Sequence, residues 1–352
     1  MDATPLFLMV AAGLFRLTGD LEFIRSLRPN LLAALGWLER YGDRDGDGYV
    51  EYIRESKVGL ENQGWKDSWD SVRFRDGRLA EPPIALCEVQ GYVYDAKLRA
   101  ADLLAALGET VRAAELRRQA ARLKERFNRD FWLADRGYYA LALDGRKRPV
   151  DSVTSNPGHL LWSGIADEAK ARAVTARLLA PELFSGWGIR TLATAEAGYN
   201  PLSYHNGSVW PHDTSVVAAG LGRCGFLDEA GRLVAALLEA AAEFPAFRLP
   251  ELFAGYGREE VGFPVPYPTA SSPQAWAAGT VMLGLRTLLG LEADIPNRRL
   301  VLRPHLPPQV RYLELSGLRV GPARLELRVR RQGGVTKAEV RGDLAGLKLE
   351  EG

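Results

Sequence analysis

Apolar residues recur at steps of three and four over most of the chain as far as residue 289, and this period predicts α-helices. The predicted helices cover residues 4–16, 21–40, 84–107, 110–127, 157–162, 168–179, 208–221, 228–242 and 273–289. Some of them, such as 84–107 and 208–221, are rich in Ala and Gly and begin with few charges, as buried helices do. Others, such as 110–127, carry Arg, Glu and Lys on one face. This alternation predicts two concentric layers of helices.

From about residue 295 the pattern changes to an alternation of apolar and polar residues. The short runs 299–302, 313–315 and 325–329 have this period and are separated by Gly and Pro. They predict a small antiparallel β unit at the C-terminus. We therefore divide the chain into a mainly helical domain, residues 1–292, and a β-rich unit, residues 293–352.

Composition argues against several classes of protein. The chain has 45 Lys and Arg against 44 Asp and Glu, so its net charge of +1 predicts neither nucleic acid nor a membrane as a partner. Cys87 and Cys224, the two cysteines, are far apart and predict reduced thiols in a cytoplasmic protein. Four histidines without close Cys partners, and the lack of a Gly-rich phosphate loop, predict neither a metal nor a cofactor. The apolar run 6–12 lacks the basic start of a signal peptide and is too short to span a membrane.

Residues 62–71 read Asn-Gln-Gly-Trp-Lys-Asp-Ser-Trp-Asp-Ser and place two of the eight tryptophans beside two carboxylates. An indole face can pack against a sugar ring, while Asp, Asn and Gln form hydrogen bonds with its hydroxyls. A surface loop anchored by buried aromatics is the alternative interpretation. Because no apolar run surrounds Trp65, Asp67, Trp69 and Asp70, the segment predicts a carbohydrate pocket.

Further polar and aromatic clusters precede or begin predicted helices, as pocket-lining loops do. Their candidate sugar-binding residues are Glu88, Gln90, Tyr94, His205, Asn206, Trp210, His212, Asp213, Tyr267, Gln274 and Trp276. Some of these side chains have alternative roles. Glu88 could cap its own helix, and Ser208 could cap the helix that follows it.

Glu251 lies between apolar neighbours in the sequence Leu-Pro-Glu-Leu-Phe, although a Glu after Pro also commonly starts a helix. Two carboxylates among aromatic residues, without a predicted metal or nucleotide, fit glycoside hydrolysis. One carboxylic acid protonates the departing oxygen, while the other carboxylate activates water or attacks carbon. Asp67 and Glu251 are the candidate pair.

Residues 43–51, Asp-Arg-Asp-Gly-Asp-Gly-Tyr-Val-Glu, are similar to the first half of an EF-hand calcium loop. Asp43, Asp45 and Asp47 occupy its first, third and fifth positions. The twelfth position is Arg54, where the loop requires a bidentate Glu. We therefore expect a tight turn between two helices, with bound calcium as the alternative.

Several segments resemble bacterial glycogen-debranching-type proteins, the amylo-α-1,6-glucosidase group. They are residues 2–7, 42–52, 62–70, 83–92, 200–213 and 272–276, and the resemblance extends over essentially the whole chain. It implies an (α/α)6 toroid of the six-hairpin glycosidase type with a small β unit. It also implies inverting hydrolysis of α-glucosidic bonds, in particular the α-1,6 branches of glycogen-like or malto-oligosaccharide substrates. Asp67 matches the position of the general acid and Glu251 that of the general base, with Asp70 as the second candidate for the acid.

The chain departs from this family at its N-terminus. Members carry a β-rich domain and about three further barrel helices before the Asp-Ala-Thr-Pro segment, and the pattern here predicts fewer than the roughly twelve helices of six pairs. We therefore expect an N-terminally incomplete toroid with exposed apolar surface at the opening. A missing N-terminal segment or a homo-oligomer contact would cover it.

Two other functions remain open at this stage. A related α-glucosidase or α-mannosidase acting on a small glycoside would use the same carboxylate pair. An inactive carbohydrate-binding fragment would bind sugar without turnover. Inversion predicts that the carboxyl groups of Asp67 and Glu251 lie roughly 6.5–9.5 Å apart.

Overall fold

The computed structural model describes residues 1–351 and is mainly helical, as predicted. Its α-helices are α1 (Ala3–Thr18), α2 (Leu21–Trp37), α3 (Cys87–Ala106), α4 (Thr110–Asp130), α5 (Pro157–Ser163), α6 (Glu168–Leu178), α7 (Pro211–Arg223), α8 (Leu227–Ala242) and α9 (Ala275–Leu289). Each corresponds to a helix predicted from the pattern. The start of α7 falls three residues later than predicted, at Pro211, because a proline ring fits the first turn of a helix. Across residues 1–351, none of the helices has the length and apolar character needed to cross a bilayer.

The odd-numbered helices form an inner layer and the even-numbered helices an outer layer. Along the inner layer α1 contacts α3, α3 contacts α5, α5 contacts α7 and α7 contacts α9. Each outer helix packs against the inner helix that comes before or after it in the chain. Composition explains the layers, because α3 is buried over most of its length whereas α4 buries only a stripe of its surface. Closure of these layers into a six-pair toroid stays a prediction.

Apolar side chains are exposed on α1 and α9, the first and last helices of the inner layer. Phe7, Val10, Leu14 and Leu17 follow one another at steps of three and four, so they form one stripe along α1, and Val10 is 69% exposed. On α9, Met282 is 70% exposed. The expectation that a further segment or a second copy covers this opening stays a prediction.

Short strands pair the loops of the helical region, and longer strands form the C-terminal unit. The loop strands are β1 (Ala85–Leu86), β2 (Trp132–Leu133), β3 (Tyr138–Tyr139), β4 (Ala142–Leu143) and β5 (Pro149–Val150). The C-terminal strands are β6 (Glu292–Asp294), β7 (Arg299–Leu302), β8 (Tyr312–Val320), β9 (Ala323–Gln332), β10 (Val335–Asp343) and β11 (Lys348–Glu351).

The C-terminal strands form two small sheets. One is the antiparallel meander β8, β9 and β10, and the other has the order β11, β7 and β6. The prediction of an entirely antiparallel unit is wrong for one pair, because the chain leaves β10 and crosses to the second sheet, where β11 runs parallel to β7. The division at residues 292 and 293 falls inside β6 and stays a prediction.

The inner helices begin at the same end of the molecule, where the long polar loops lie. The first turn of α7 contacts the first turn of α5, because the His159 ring forms a hydrogen bond with Asp213 at 2.7 Å. The first turn of α9 joins them through Trp276, whose ring lies on the ring of His212. Helix N-termini carry partial positive charge and free N–H groups, so this end of the molecule suits a polar or anionic site.

Candidate active site

Asp67 lies on the 62–71 loop with its side chain exposed. Asn62 fixes this loop, because its side-chain oxygen accepts a hydrogen bond of 2.7 Å from the Tyr52 hydroxyl while its amide donates to two carbonyls within the loop. Partial desolvation and the negative charges of Glu251 and Asp2 raise the pKa of Asp67. A carboxyl group with a raised pKa keeps its proton to higher pH, as a general acid requires.

Glu251 is nearly buried and is held by three hydrogen bonds. Its Oε1 accepts from the Tyr204 hydroxyl at 2.9 Å and from the Gln274 amide at 3.3 Å. Its Oε2 accepts from the backbone N–H of Ser271 at 3.0 Å. These bonds fix the orientation of the carboxylate. Tyr204, which binds Glu251, is followed by His205, whose ring accepts a hydrogen bond from the Ser68 N–H next to Asp67, so the two loops contact each other beside the carboxylates.

Aromatic rings pack together beside the two carboxylates, and we call Trp65, His205, Trp210, His212 and Trp276 the aromatic cluster. Trp65 meets Trp210 edge to face at 5.7 Å and His212 at 4.9 Å between ring centroids. His212 stacks on Trp276 at 4.0 Å, and His205 stacks on Trp210 at 4.9 Å. Trp65 and Trp210 are buried, whereas Trp276 is 37% exposed. Trp276 is therefore the ring of this cluster that can offer a face to a ligand.

Trp69 and Asp70 are not placed as the loop sequence suggested. Trp69 is 67% exposed and stands outside the aromatic cluster. The carboxylate of Asp70 accepts hydrogen bonds from Arg73 at 3.1 Å and from Asn206 at 3.0 Å. Asp70 and Asn206 therefore hold the loops together, and Asp70 is a weaker candidate for the acid than Asp67.

Glu88 lies close to Lys66 and His159, whereas Gln90 and Tyr94 on the same helix contact other parts of the protein. The helical period puts Gln90 and Tyr94 on one face of α3, four residues apart. The side-chain amide of Gln90 accepts a hydrogen bond of 2.9 Å from the N–H of Val50 and donates one of 2.7 Å to its carbonyl. The Tyr94 ring lies 5.5 Å from the Lys124 ammonium group. These contacts give both residues a packing role, and their part in sugar binding stays a prediction.

A group of buried polar side chains lies beneath the aromatic cluster. The His159 ring forms hydrogen bonds with Asp213 and with the Tyr92 hydroxyl, and it lies parallel to the ring of Trp65. Lys66 and Glu88 lie close enough to Asp213 and His159 for their charges to act on one another. The group ties together the starts of α3, α5 and α7 below the loop that carries Asp67.

Burial determines the charge of these groups. It lowers the pKa of His205 and of His212 to about 3, so both rings are neutral above pH 5. Burial also raises the pKa of Glu88, although the nearby His159 opposes the change. Burial alone would raise the pKa of Asp213, but the hydrogen bond and charge of His159 lower it. The aromatic cluster therefore contributes no charge at neutral pH.

The structure adds Asp2, Lys66, His159 and Tyr204 to the residues chosen from the sequence. Three of them stand in segments already singled out, since Lys66 separates Trp65 from Asp67, Tyr204 precedes His205, and Asp2 begins the first segment of the resemblance. The fourth, His159, had a weaker signal as one of four histidines in the chain. Residues next to a chosen motif were thus good candidates for the site, even where their residue type alone did not indicate it.

The calcium-like loop holds a lysine side chain. Asp43, Asp45 and Asp47 are close enough to share a cation. The Lys147 ammonium group lies 2.7 Å from Asp45, 2.6 Å from Asp47 and 2.8 Å from the buried Glu51. Burial alone would lower the pKa of Lys147, but the hydrogen bonds that it donates to these carboxylates raise it. The lysine charge thus offsets part of the negative charge of the loop that was compared with a calcium site, and bound calcium stays an alternative.

We expect Lys147→Met to lower the free energy of unfolding by about 2 kcal/mol, because it leaves the buried Glu51 without its cation while Lys147 itself is partly exposed. Urea unfolding measures the loss. Lys57→Met, which changes an exposed lysine, is the control and should have no effect. If millimolar calcium stabilises only the Lys147→Met protein, the carboxylates can hold a metal once the lysine is gone. An unchanged stability would show that the lysine contributes nothing there.

Comparisons with known proteins identify the family. The model of the mannosylglycerate hydrolase MGH1-like glycoside hydrolase domain matches residues 2–248. A mannosylglycerate hydrolase from Rubrobacter radiotolerans is 32% identical over 148 residues, which are 41% of this chain and 33% of that protein. The aligned part of the chain thus spans about a third of the length of this curated relative.

Solved structures show the same fold at low sequence identity. The GH78 family rhamnosidase of Bacillus sp. GL1 has a TM-score of 0.69 at 15% identity, over 99% of this chain and 32% of that one. The GH63 mannosylglycerate hydrolase from Thermus thermophilus, solved with glucose, has a TM-score of 0.60 at 21% identity, over 80% of this chain and 74% of that one. These likenesses support the fold of six-hairpin glycosidases.

The family bears on two expectations from the sequence, the class of enzyme and the resemblance to glycogen-debranching proteins. A glycoside hydrolase was expected, and the family model confirms that class. The finer resemblance to glycogen-debranching proteins finds no support, since the relatives are mannosylglycerate hydrolases. With a match over residues 2–248, this chain belongs to the mannosylglycerate hydrolase MGH1-like family of glycoside hydrolases.

Proposed function

We propose that the protein hydrolyses a small α-mannosyl glycoside by an inverting mechanism, with Asp67 as general acid and Glu251 as general base. The observation that carries this proposal is the contact between the segments of the two carboxylates, since Tyr204 binds Glu251 and the next residue, His205, binds Ser68 beside Asp67. The family supports the reaction class, and the names of the relatives support mannosylglycerate or a similar compound as substrate.

The two carboxylates differ in the way that the mechanism requires. The raised pKa of Asp67 keeps a proton available for the glycosidic oxygen as the bond to the anomeric carbon breaks. Glu251 takes a proton from water while the oxygen of that water attacks the anomeric carbon from the opposite face. The three hydrogen bonds to Glu251 hold its carboxylate in one orientation during this step.

Three substrate classes test the proposal. Purified protein is incubated with mannosylglycerate and an aryl α-mannoside, with the matching α-glucosides, and with a branched dextrin, and released sugar is measured. We expect turnover of the mannosides. Release of glucose from the dextrin would instead support a debranching enzyme. Sugar binding by calorimetry without any turnover would support an inactive carbohydrate-binding protein.

The anomer released first tests the mechanism. Proton NMR of the reaction within minutes of mixing distinguishes β-mannose, the product of inversion at an α-linkage, from α-mannose. We expect β-mannose. First release of α-mannose would mean retention, and Glu251 would then be a nucleophile that lies about 5 Å from Asp67.

Asp2 offers a test of the pKa of the acid. The active form of Asp67 is protonated, so it is present below its pKa and lost as pH rises through it. Because the charge of Asp2 raises that pKa, Asp2→Asn should lower it and move the alkaline limb of kcat/KM to lower pH. Asp102→Asn, which changes an exposed carboxylate on α3, is the control. An unchanged alkaline limb would show that Asp2 does not act on the acid.

A further inference from the structure

Lys66, the residue before Asp67, is buried, and so is its ammonium group. Its Nζ donates a hydrogen bond of 2.7 Å to the carbonyl of Thr191, and it lies 5.1 Å from the centre of the Trp65 ring. Only 3% of the residue is exposed. Burying a charge is costly unless the fold compensates for it, so an apolar side chain would be simpler here if the site needed only bulk.

The acceptor of this bond, Thr191, is itself fixed to the next loop. Its backbone N–H donates to the carbonyl of Ser208 at 2.9 Å. Its hydroxyl oxygen accepts from the N–H of Gly207 at 2.8 Å. Thr191 therefore transmits the position of the Lys66 side chain to residues 207–208.

The segment after Ser208 is paired with the segment that carries Glu251. Val209 and Phe253 exchange two backbone hydrogen bonds, of 2.9 and 3.0 Å. Glu251 lies two residues before Phe253, and its own N–H donates to the carbonyl of Ser271 at 2.9 Å. Hydrogen bonds and short stretches of backbone thus form a path from the neighbour of one carboxylate to the segment of the other.

From this path we infer that Lys66 is a positioning residue, which sets the separation of Asp67 and Glu251 by binding the loop of the acid to the paired segment that carries the base. The structural part concerns only the placement of the loop. The catalytic consequence rests on the function proposed above. An inverting site needs a gap that admits one water between the carboxylates, and a misplacement of about 1 Å can reduce a rate roughly a hundredfold.

The loop has other anchors, which should let it fold when the lysine is changed. The Ser68 hydroxyl and N–H bind the His205 ring, and the Asn206 amide binds Asp70. These contacts attach the loop to residues 205–206 and not to Thr191. Lys66 is therefore the direct side-chain link from the neighbour of the acid to Thr191.

Lys66→Met removes this bond and keeps an unbranched side chain of similar length. We expect kcat for the best mannoside to fall at least about tenfold, with KM changed less than about threefold, because the sugar contacts remain while the carboxylates move apart. A purely structural role would lower Tm and leave kcat and KM per folded molecule unchanged. Values of kcat and KM within twofold of the unchanged protein would overturn the inference.

Lys124→Met is a matched control. Lys124 also donates to a backbone carbonyl, that of Gly164 at 2.8 Å, and also lies over an aromatic ring, that of Tyr94. It belongs to α4 and has no part in the path between the carboxylates. The two substitutions thus remove the same kind of bond, but only Lys66→Met should change kcat.

Thr191→Val tests the same path from its other side, and it covers the case in which Lys66→Met fails to fold. It removes the hydroxyl oxygen that accepts from Gly207, and valine has the same shape as threonine. We expect a fall in kcat with little change in KM. The Thr191 N–H still donates to the carbonyl of Ser208, so this variant weakens the path without breaking it. If both variants fold, the double variant should lose little more than the worse single variant, because both substitutions act on one path. Independent, multiplying effects would contradict the inference.

Hydrogen exchange separates this inference from the proposed function, because it needs no substrate. In Lys66→Met we expect the amides of residues 64–71 and 251–255 to exchange about tenfold faster than in the unchanged protein, with no such change in Lys124→Met. If exchange becomes faster but the unchanged protein turns over no substrate, the positioning role of Lys66 stands and the proposed function is rejected. Unchanged exchange would reject the positioning role of Lys66, even if the protein is an active enzyme.

Discussion

Asp67→Asn is expected to reduce kcat by roughly a thousandfold for substrates with a poor leaving group, such as mannosylglycerate. The amide keeps the size and most of the polarity of the carboxyl, but it has no proton to give to the departing oxygen. KM should change little, because Asp67 is exposed on its loop and asparagine has nearly the same size. Initial rates over a range of substrate concentrations measure both constants.

The choice of leaving group separates loss of the acid from general damage. A dinitrophenyl mannoside leaves without protonation, so its hydrolysis by Asp67→Asn should remain within about tenfold of the unchanged rate. Asp70→Asn serves as the comparison, since the Asp70 carboxylate is occupied by Arg73 and Asn206. It should act equally on both kinds of substrate. If instead Asp70→Asn shows the dependence on leaving group, Asp70 is the acid.

Glu251→Gln is expected to cause a loss of similar size, roughly a thousandfold in kcat, with both poor and good leaving groups. The reason is that the attacking water loses the group that takes its proton, and this step is needed whatever leaves. The amide can still accept from the Tyr204 hydroxyl, so the fold of the site should persist. A Tm within a few degrees of the unchanged protein would verify that.

An added nucleophile provides the complementary test for the base. Azide is already an anion and needs no base, so it should restore turnover to Glu251→Gln with a good leaving group and give a mannosyl azide product. Glu259→Gln, at an exposed position further along the same loop, is the matched control and should behave as the unchanged protein. If neither azide nor leaving group affects Glu251→Gln, and its rate is near normal, another residue is the base.

The helices could be predicted because the apolar pattern of each helix lies within its own sequence. The periodic pattern on α3 and α7 is carried by their own residues, so no knowledge of their neighbours was needed. The parallel pairing of β11 with β7 could not be found in this way. It depends on where the chain goes after β10, and a short alternating run has the same sequence in a parallel or an antiparallel pair.

The site was only partly predictable for a related reason. The segments that carry Asp67, Glu251 and His205 stood out by composition, but the contacts between segments have no local signature. His159 is bound to Asp213, which is 54 residues away in the chain, and neither sequence position indicates the other. The sugar-binding role of Gln90 stays a prediction, and its side-chain amide forms hydrogen bonds with the backbone of Val50 in a neighbouring loop.

Loops and helices have different roles in this protein, and this affects how its substrate could change. The side chains of the site stand on loops or in the first turns of inner helices, while the rest of each helix only packs against its neighbours. Loop residues can therefore be exchanged without disturbing the layers that supply most of the buried surface. A rhamnosidase with the same fold at 15% identity is consistent with this freedom. The helical layers and the loops can thus change independently of each other in such a protein.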